Sequence, residues 1–349
     1  MALLRSIAQT VNPIEMKKTM EVKSIKRQLV KKYSLLGLIL SIVISSFSQV
    51  NESAHTPVYD YLYRMAQKGL TSFPDYQLPL DRRTIFSALT QLSNNREQLS
   101  RIERSELTFY LQDFAFDSLD VNVPQKLTVF KKDSANRFRA LLFEKDDNKV
   151  FIDPVFGTAY FRSKGKYNHH YFSGIRLAAY FGKRWGFNFF FKENTEKGDT
   201  LERDRLFTTE EGIVPTVTTS RLLNYSNLNF NIGYRWTNGS LSVGKDNPAW
   251  SYGLGGNIML SGRAPSFPYI KLEYRPWIWL HFSYFHGWLK SNIIDSSVSY
   301  NTGTGIIDSR REIYRSKFIA HHAITVTPLK GLDLALGESM VYSDKLDFA

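Results

Sequence analysis

From about residue 150 onward, apolar and polar positions alternate with a period of two, the spacing of β-strands whose two sides face different surroundings. NLNFNIGYRW at 227–236 is the clearest case. Leu228, Phe230, Ile232, Tyr234 and Trp236 fall on one side, and Asn227, Asn229, Asn231, Gly233 and Arg235 on the other. The same pattern predicts strands over 150–162, 170–182, 185–193, 224–236, 240–245, 269–275, 277–287, 312–327 and 331–342. Upstream, over 56–118, the period is 3.6 and three short helices are expected. TPVYDYLYRMAQKGL aligns Val58, Tyr61, Leu62 and Met65 before a stop at Gly69. LPLDRRTIFSALTQL aligns Ile85, Leu89 and Leu92 behind Asp81, and SRIERSELTFYLQDF opens with Ser100 and Glu103 at capping-box spacing. Three such helices bury little core alone, so they must pack on each other and on something larger.

The connections narrow the fold. Short links at Gly182-Lys183-Arg184, Thr237-Asn238-Gly239, Pro276 and Pro328-Leu329-Lys330-Gly331 alternate with long ones at 194–223, 246–268 and 288–311. Short turns at one rim and long loops at the other are what a transmembrane β-barrel requires. Aromatic residues gather near strand ends (Tyr225, Trp236, Trp277, Trp279, Trp288, Tyr314), where interfacial girdles are expected. The competing reading is a β-sandwich with those aromatics in a dry core. The expected fold is thus mainly β: an antiparallel transmembrane β-barrel, about half of one present, preceded by a small α-helical module. With short turns on the periplasmic side, the first crossing is 150–162 and 137–145 is a non-crossing strand. The run 331–342 becomes the ninth crossing, an odd number where a closed single-chain barrel has an even one, so the barrel is expected to be C-terminally incomplete.

Residues 31–49, KKYSLLGLILSIVISSFSQ, read as a secretory signal peptide: basic residues, an apolar run of about fifteen residues, and small residues at Ser46 and Ser48. The run is short for a membrane-spanning helix, which needs about twenty apolar residues. Start codons at Met16 or Met20 would give a leader of ordinary length. The expected organisation is a leader at 1–48, a periplasmic helical module at 49–135 and barrel strands at 136–349.

Charge changes little in this picture. The formal net charge of +12 includes +6 from the leader, where eight basic residues face two acids, leaving +6 for the rest. No basic stripe suits nucleic acid. There are no cysteines, which excludes disulfides and thiolate chemistry.

One stretch breaks both periodicities. GKDNPAWSYGLGGNIMLSGRAPSFPYIKLEYRP at 244–276 is a glycine-rich loop feeding directly into a strand. Trp250, Gly253, Gly256, Leu260, Ser261, Ala264, Pro265 and Pro268 resemble the signature of the Wzi capsule-assembly family, although Gly262 and Arg263 replace the expected small polar pair. The order of leader, helical module and alternating strands is also similar, so the resemblance extends over roughly 55–349. It implies an outer-membrane barrel with a periplasmic helical bundle that attaches capsular polysaccharide to the cell surface as a lectin. Independently of the family, glycines let the loop backbone pack closely and prolines fix its exit, so the loop is expected to reach into or across the barrel mouth.

Lys245, Asp246, Trp250 and Arg263 are the candidate polysaccharide-binding or loop-plug residues, combining an aromatic face with charged hydrogen-bonding groups near the outer rim. The alternative is that the three charged residues hold the loop through salt bridges and Trp250 fills space. Catalysis has little support. His281 and Ser283 share the polar side of one strand, and His286 follows, but no third partner can be named. The adjacent pairs His169-His170 and His321-His322 point to opposite faces of their strands, so neither pair is set to bind one metal. No cofactor or metal is expected. The expected function is non-enzymatic surface attachment of capsular or other exopolysaccharide; a porin-like channel is the alternative and an outer-membrane lipid hydrolase the third reading. Expected partners are the polysaccharide, outer-membrane lipid and, through the helical module, export-machinery proteins.

Overall fold

The computed structural model describes residues 49–343 apart from 75, 119–124, 134, 204–210, 251–256, 258, 278, 292, 302–309 and 330–331. The expected leader therefore lies outside the described residues. Twelve strands form one antiparallel sheet: β1 (Lys126–Lys132), β2 (Phe138–Lys145), β3 (Asn148–Ser163), β4 (Lys166–Phe181), β5 (Trp185–Gly198), β6 (Pro215–Thr218), β7 (Leu222–Trp236), β8 (Gly239–Asp246), β9 (Phe267–Trp277), β10 (Leu280–Leu289), β11 (Lys317–Leu329) and β12 (Leu332–Ser343). Each pairs with its chain neighbours, except that β6 sits beside β7 at its start and β5 pairs with β7 directly. Such a meander follows from hairpin links, because antiparallel neighbours need no crossover. β1 and β12 end the sheet, and among the described residues they do not pair with one another.

The two rims differ as expected, with refinements. On one rim the links are two or three residues long, at 146–147, 182–184, 237–238, 278–279 and 330–331. On the other lie the long connections 199–221, 247–266 and 290–316. That second rim also carries a tight turn, Lys164-Gly165, where sequence periodicity leaves a longer gap; both residues have positive φ, as a two-residue hairpin requires. Pro276 does not reverse the chain. It lies within β9 beside a register shift between Tyr274 and Trp277, a place where a missing N–H is tolerated. The sheet also begins earlier than residue 136, since 126–132 pairs with β2.

Burial along the strands is inverted relative to a water-soluble sheet. In β7, Asn229, Asn231 and Gly233 are buried, while Leu228, Phe230 and Tyr234 are half-buried. Asn231 is 0% exposed and its neighbour Ile232 45%. The register carries the outward face across the sheet: Ile232 lies opposite Phe187 and Val243, Val243 opposite Ile270, and Ile270 opposite His286. The outward face is apolar over most of its area; the ion pair His322–Glu338 at 3.4 Å interrupts it on β11 and β12, and the Ser226–Glu193 hydrogen bond on β7 and β5.

The polar face is covered by the helical module. Its helices are α1 (Val58–Gln67), α2 (Arg82–Asn94) and α3 (Arg101–Asp113). Gly69 follows α1 with φ +70°, and Ser100 and Glu103 form the reciprocal capping box at α3. Asp81 occupies the N-cap of α2, but its carboxylate is used elsewhere: it accepts from the Val50 N–H at 3.0 Å and pairs with Arg235 of β7 at 2.8 Å. Leu62, Met65, Ile85, Leu89, Leu92 and Leu107 make the module's dry core. Full burial of such a side chain stabilises by about 1.5–3 kcal/mol.

Module and sheet are joined by buried polar contacts. Arg82 pairs with Glu52 and, at 2.8 Å, with Asp117, and stacks over Phe114. Glu52 also meets Arg176 of β4 at 3.2 Å, and Asp117 accepts from the Tyr180 hydroxyl at 2.6 Å. Burial opposes ionisation of Glu52, yet Arg82 and Arg176 hold its carboxyl below the ordinary value. The Asn51 N–H donates to Asn188 of β5, and its side-chain amide to the Tyr269 hydroxyl of β9. Gly186 and Gly233 face each other across β5 and β7 beneath this segment. A Cβ at Gly186 would lie 2.0 Å from the carbonyl oxygen of Gln49, so only glycine admits the chain there. The module thus contacts the sheet at β4, β5, β7, β9 and β11.

Candidate functional site

The loop 247–266 leaves the top of β8 and turns inward. Ala249-Trp250 pairs with Gln77-Leu78 of the module on one side and Leu260-Ser261 on the other, a three-stranded ribbon tying loop to module. Beside it, the His55 ring nitrogen lies 2.8 Å from the Gly262 carbonyl oxygen. Gly262 has φ +76°, so a side chain here would be strained.

Trp250 is buried between the module and the sheet. Its ring stacks on His321 of β11 at 4.5 Å and meets Phe285 of β10 edge-on at 4.6 Å, within a cluster completed by Phe267, Tyr269 and Ile319. Its role is therefore packing: it locks the loop against the inner face of β9 to β11.

Between the module, this loop and the sheet lies a cavity of about 930 Å³. Its walls come from 50–63 of the module, the inner faces of β4, β5 and β7, and the two long connections at Glu211 and Ile213 and at Asn257, Ser261 and Arg263. The lining is polar and mixed in charge: Glu52, Asp60, Glu211 and Asp246 against Arg82, Arg176, Lys192 and Arg263. Asn51, Asn188, Asn227 and Asn229 add amides, and Tyr59, Tyr63 and Tyr225 add aromatic faces. Tyr225 was expected in an aromatic girdle. It instead points inward, and its hydroxyl donates to Glu196 at 2.9 Å, because odd-numbered positions of β7 face the module.

The four sequence candidates separate accordingly. Asp246 and Arg263 line the cavity. The Asp246 carboxylate accepts from Asn229 Nδ2 at 2.8 Å and from the Asn247 N–H at 2.8 Å, so it anchors the start of the loop. The Arg263 carbonyl accepts from the Gly212 N–H at 2.7 Å and joins the two long connections. Trp250 packs against the sheet and does not line the cavity. Lys245 belongs to the other face: it lies opposite Phe230 and Pro268 in register, with the outward residues. Adjacent positions of a strand point to opposite sides, so Lys245 and Asp246 cannot share a site. Sequence reasoning missed Asp60, Arg176 and Lys192, which meet only through pairing of distant segments.

His281 and Ser283 both lie on the inner face, where Ser283 is buried beneath the module. His169 and His170 diverge as expected, towards Thr158 at 2.7 Å and Asn194 at 3.1 Å. Among the described residues no three His, Asp or Glu side chains are grouped to hold a metal ion. Compared with known proteins, the chain matches no family model, no curated protein and no solved structure.

Proposed function

We propose that this chain forms the wall of an outer-membrane β-barrel and holds a stretch of capsular or other exopolysaccharide in its inner cavity, attaching it to the cell surface without chemistry. The inverted burial carries this reading. In water, the part-exposed Ile232, Leu241, Val243, Ile324 and Leu336 would each forgo a share of the about 1.5–3 kcal/mol that full burial contributes; against hydrocarbon that cost disappears. The dimensions fit. From Ser226 to Trp236 a strand rises about 33 Å at roughly 3.3 Å per residue, and a tilt of about 40° reduces this to about 25 Å, the height of a barrel's apolar band. Aromatic side chains border that band: Trp185 and Tyr234 at 5.0 Å, and the stacked Trp277 and Trp279, at the short-turn rim; Trp288 and Tyr342 flank His286 towards the long-loop rim.

The cavity supports the ligand class. Sugars present hydroxyls and flat apolar ring faces, and paired charges, amides and tyrosines are suited to both. The resemblance of 244–276 to the Wzi capsule-assembly signature points the same way. Occupation of the polar face by module and loop speaks against a wide channel.

The test is binding of the full-length product in detergent to an array of bacterial polysaccharides. At least one exopolysaccharide is expected to bind, about tenfold more weakly to Arg263→Ala, the effect of one charged hydrogen bond. Binding to no glycan, together with a wide stable ion current in planar bilayers, would replace this reading with the porin one.

A further inference from the structure

The outward face is not uniform at the long-loop rim. On β8 to β12 its upper residues are mainly aromatic or aliphatic. On β3 to β5 it carries a basic, tyrosine-rich cluster. Register places Arg162 opposite Tyr167, Tyr160 opposite His169, and His169 opposite Lys197, all on the side away from the module. Tyr160 and Tyr167 stack at 6.1 Å, His169 lies 5.6 Å from Tyr171, and the Lys197 ammonium sits 5.5 Å over the Tyr171 ring. Arg162, Lys197 and Tyr160 are exposed. The acids nearby are already engaged: Asp199 pairs with Arg221 at 3.4 Å, and Glu193 accepts from the Ser226 hydroxyl at 2.5 Å.

Below this cluster on the same face, past a polar band of Thr158, Ser173, Thr195 and Glu193, begin Phe156, Ile175 and Phe191. Cationic groups above aromatic rings, themselves above hydrocarbon-facing side chains, repeat the layering of a lipid: phosphate, headgroup, acyl chain. We propose that Arg162 and Lys197, framed by Tyr160, Tyr167 and Tyr171, bind the phosphorylated headgroup of an anionic lipid in the leaflet at the long-loop rim. The proposal rests on the membrane reading of the sheet. It adds a specific lipid site on the outer wall, separate from the cavity within.

Charge and continuity select this occupant. A phosphate accepts charge-assisted hydrogen bonds from guanidinium and ammonium groups, and its acyl chains extend over Phe156 and Ile175 without leaving the apolar face. Each basic residue near a lipid surface contributes a factor of about five to binding.

The test uses the full chain in detergent, with diphosphorylated lipid A and its dephosphorylated form as probes and native mass spectrometry as the readout. Wild-type protein is expected to retain the phosphorylated form at least about fivefold better. Arg162→Gln/Lys197→Gln should abolish that preference, whereas Lys183→Gln at the opposite rim should leave it unchanged. Equal retention of both lipids by wild type overturns the proposal while leaving the membrane reading intact. Retention of neither lipid, with the protein dispersed in detergent-free buffer, overturns both. Full displacement of the phosphorylated lipid by millimolar inorganic phosphate would assign the site to free phosphate and overturn the lipid assignment.

Discussion

The helical module and the sheet are built from one chain with opposite rules. In the module Leu62, Ile85 and Leu89 are buried while Arg64 and Thr90 face outward. In the sheet Asn231, Ser242 and Lys271 are buried while Ile232, Val243 and Tyr274 face outward. Much of the inner face of the sheet is held by hydrogen bonds: Asn231 donates to the Tyr269 hydroxyl at 3.2 Å, and Lys271 donates to the Pro79 carbonyl at 3.3 Å. Burial alone thus does not identify a hydrophobic core. What differs is the solvent each apolar surface avoids or accepts.

The largest effect should come from the joint between the two regions. Arg82→Met leaves Glu52 and Asp117 as buried carboxylates without their shared cation. The expected loss is about 3–5 kcal/mol, read as a lower denaturation midpoint in detergent. Loss below about 1 kcal/mol would mean that module and sheet are held mainly by apolar contact.

Trp250→Ala should cost about 3 kcal/mol, at the low end for a buried aromatic because the loop is free to collapse into the space. It should also raise single-channel conductance, since the plug against Phe285 and His321 is removed. Unchanged conductance would locate the seal in the module alone.

Ile232→Arg and Thr90→Arg sharpen the comparison most directly. Both introduce a charge at an exposed position. Against hydrocarbon the first should cost about 2–4 kcal/mol, measured by folding titrations into lipid vesicles. The second should stay within about 0.5 kcal/mol. Equal effects would mean that water meets both surfaces.

The smallest effect concerns acid. Lys68 and the cap of Ser100 hold the Glu103 carboxyl down to about 2, against an ordinary 4.5. A depressed folded-state value means the stabilisation is complete above about pH 4.5 and is lost as pH falls towards 2. Glu103→Gln keeps the capping acceptor but loses the charge paired with Lys68, and should cost up to about 1 kcal/mol at neutral pH. It should flatten the pH dependence of module unfolding between those limits, measured by circular dichroism at the helical bands.

Much of the fold was legible because it rests on local spacing. Alternation over 227–236 places Asn231 and Ile232 on opposite faces whatever surrounds them, and Ser100 with Glu103 marks a helix start by short-range hydrogen bonding. β1 escaped because KLTVFKK is short and lysine-rich. Gly233 read only as a gap in a polar row, since nothing local signals that Gln49 must pass over it. Of the site, Asp246 and Arg263 were found through an irregular, glycine-rich loop, whereas Asp60, Arg176 and Lys192 carry no such mark.

Periodicity alone determined which side chains share a face, where helices begin and stop, and which connections are long, because backbone geometry repeats every 2.0 or 3.6 residues. Tertiary structure decided which face is covered: the module occupies the polar side, so the apolar side looks outward. It also decided that Trp250 packs and that Asp246 lines a cavity. Those outcomes depend on contacts between segments more than a hundred residues apart, such as Asn51 with Tyr269, and no local pattern encodes such a meeting.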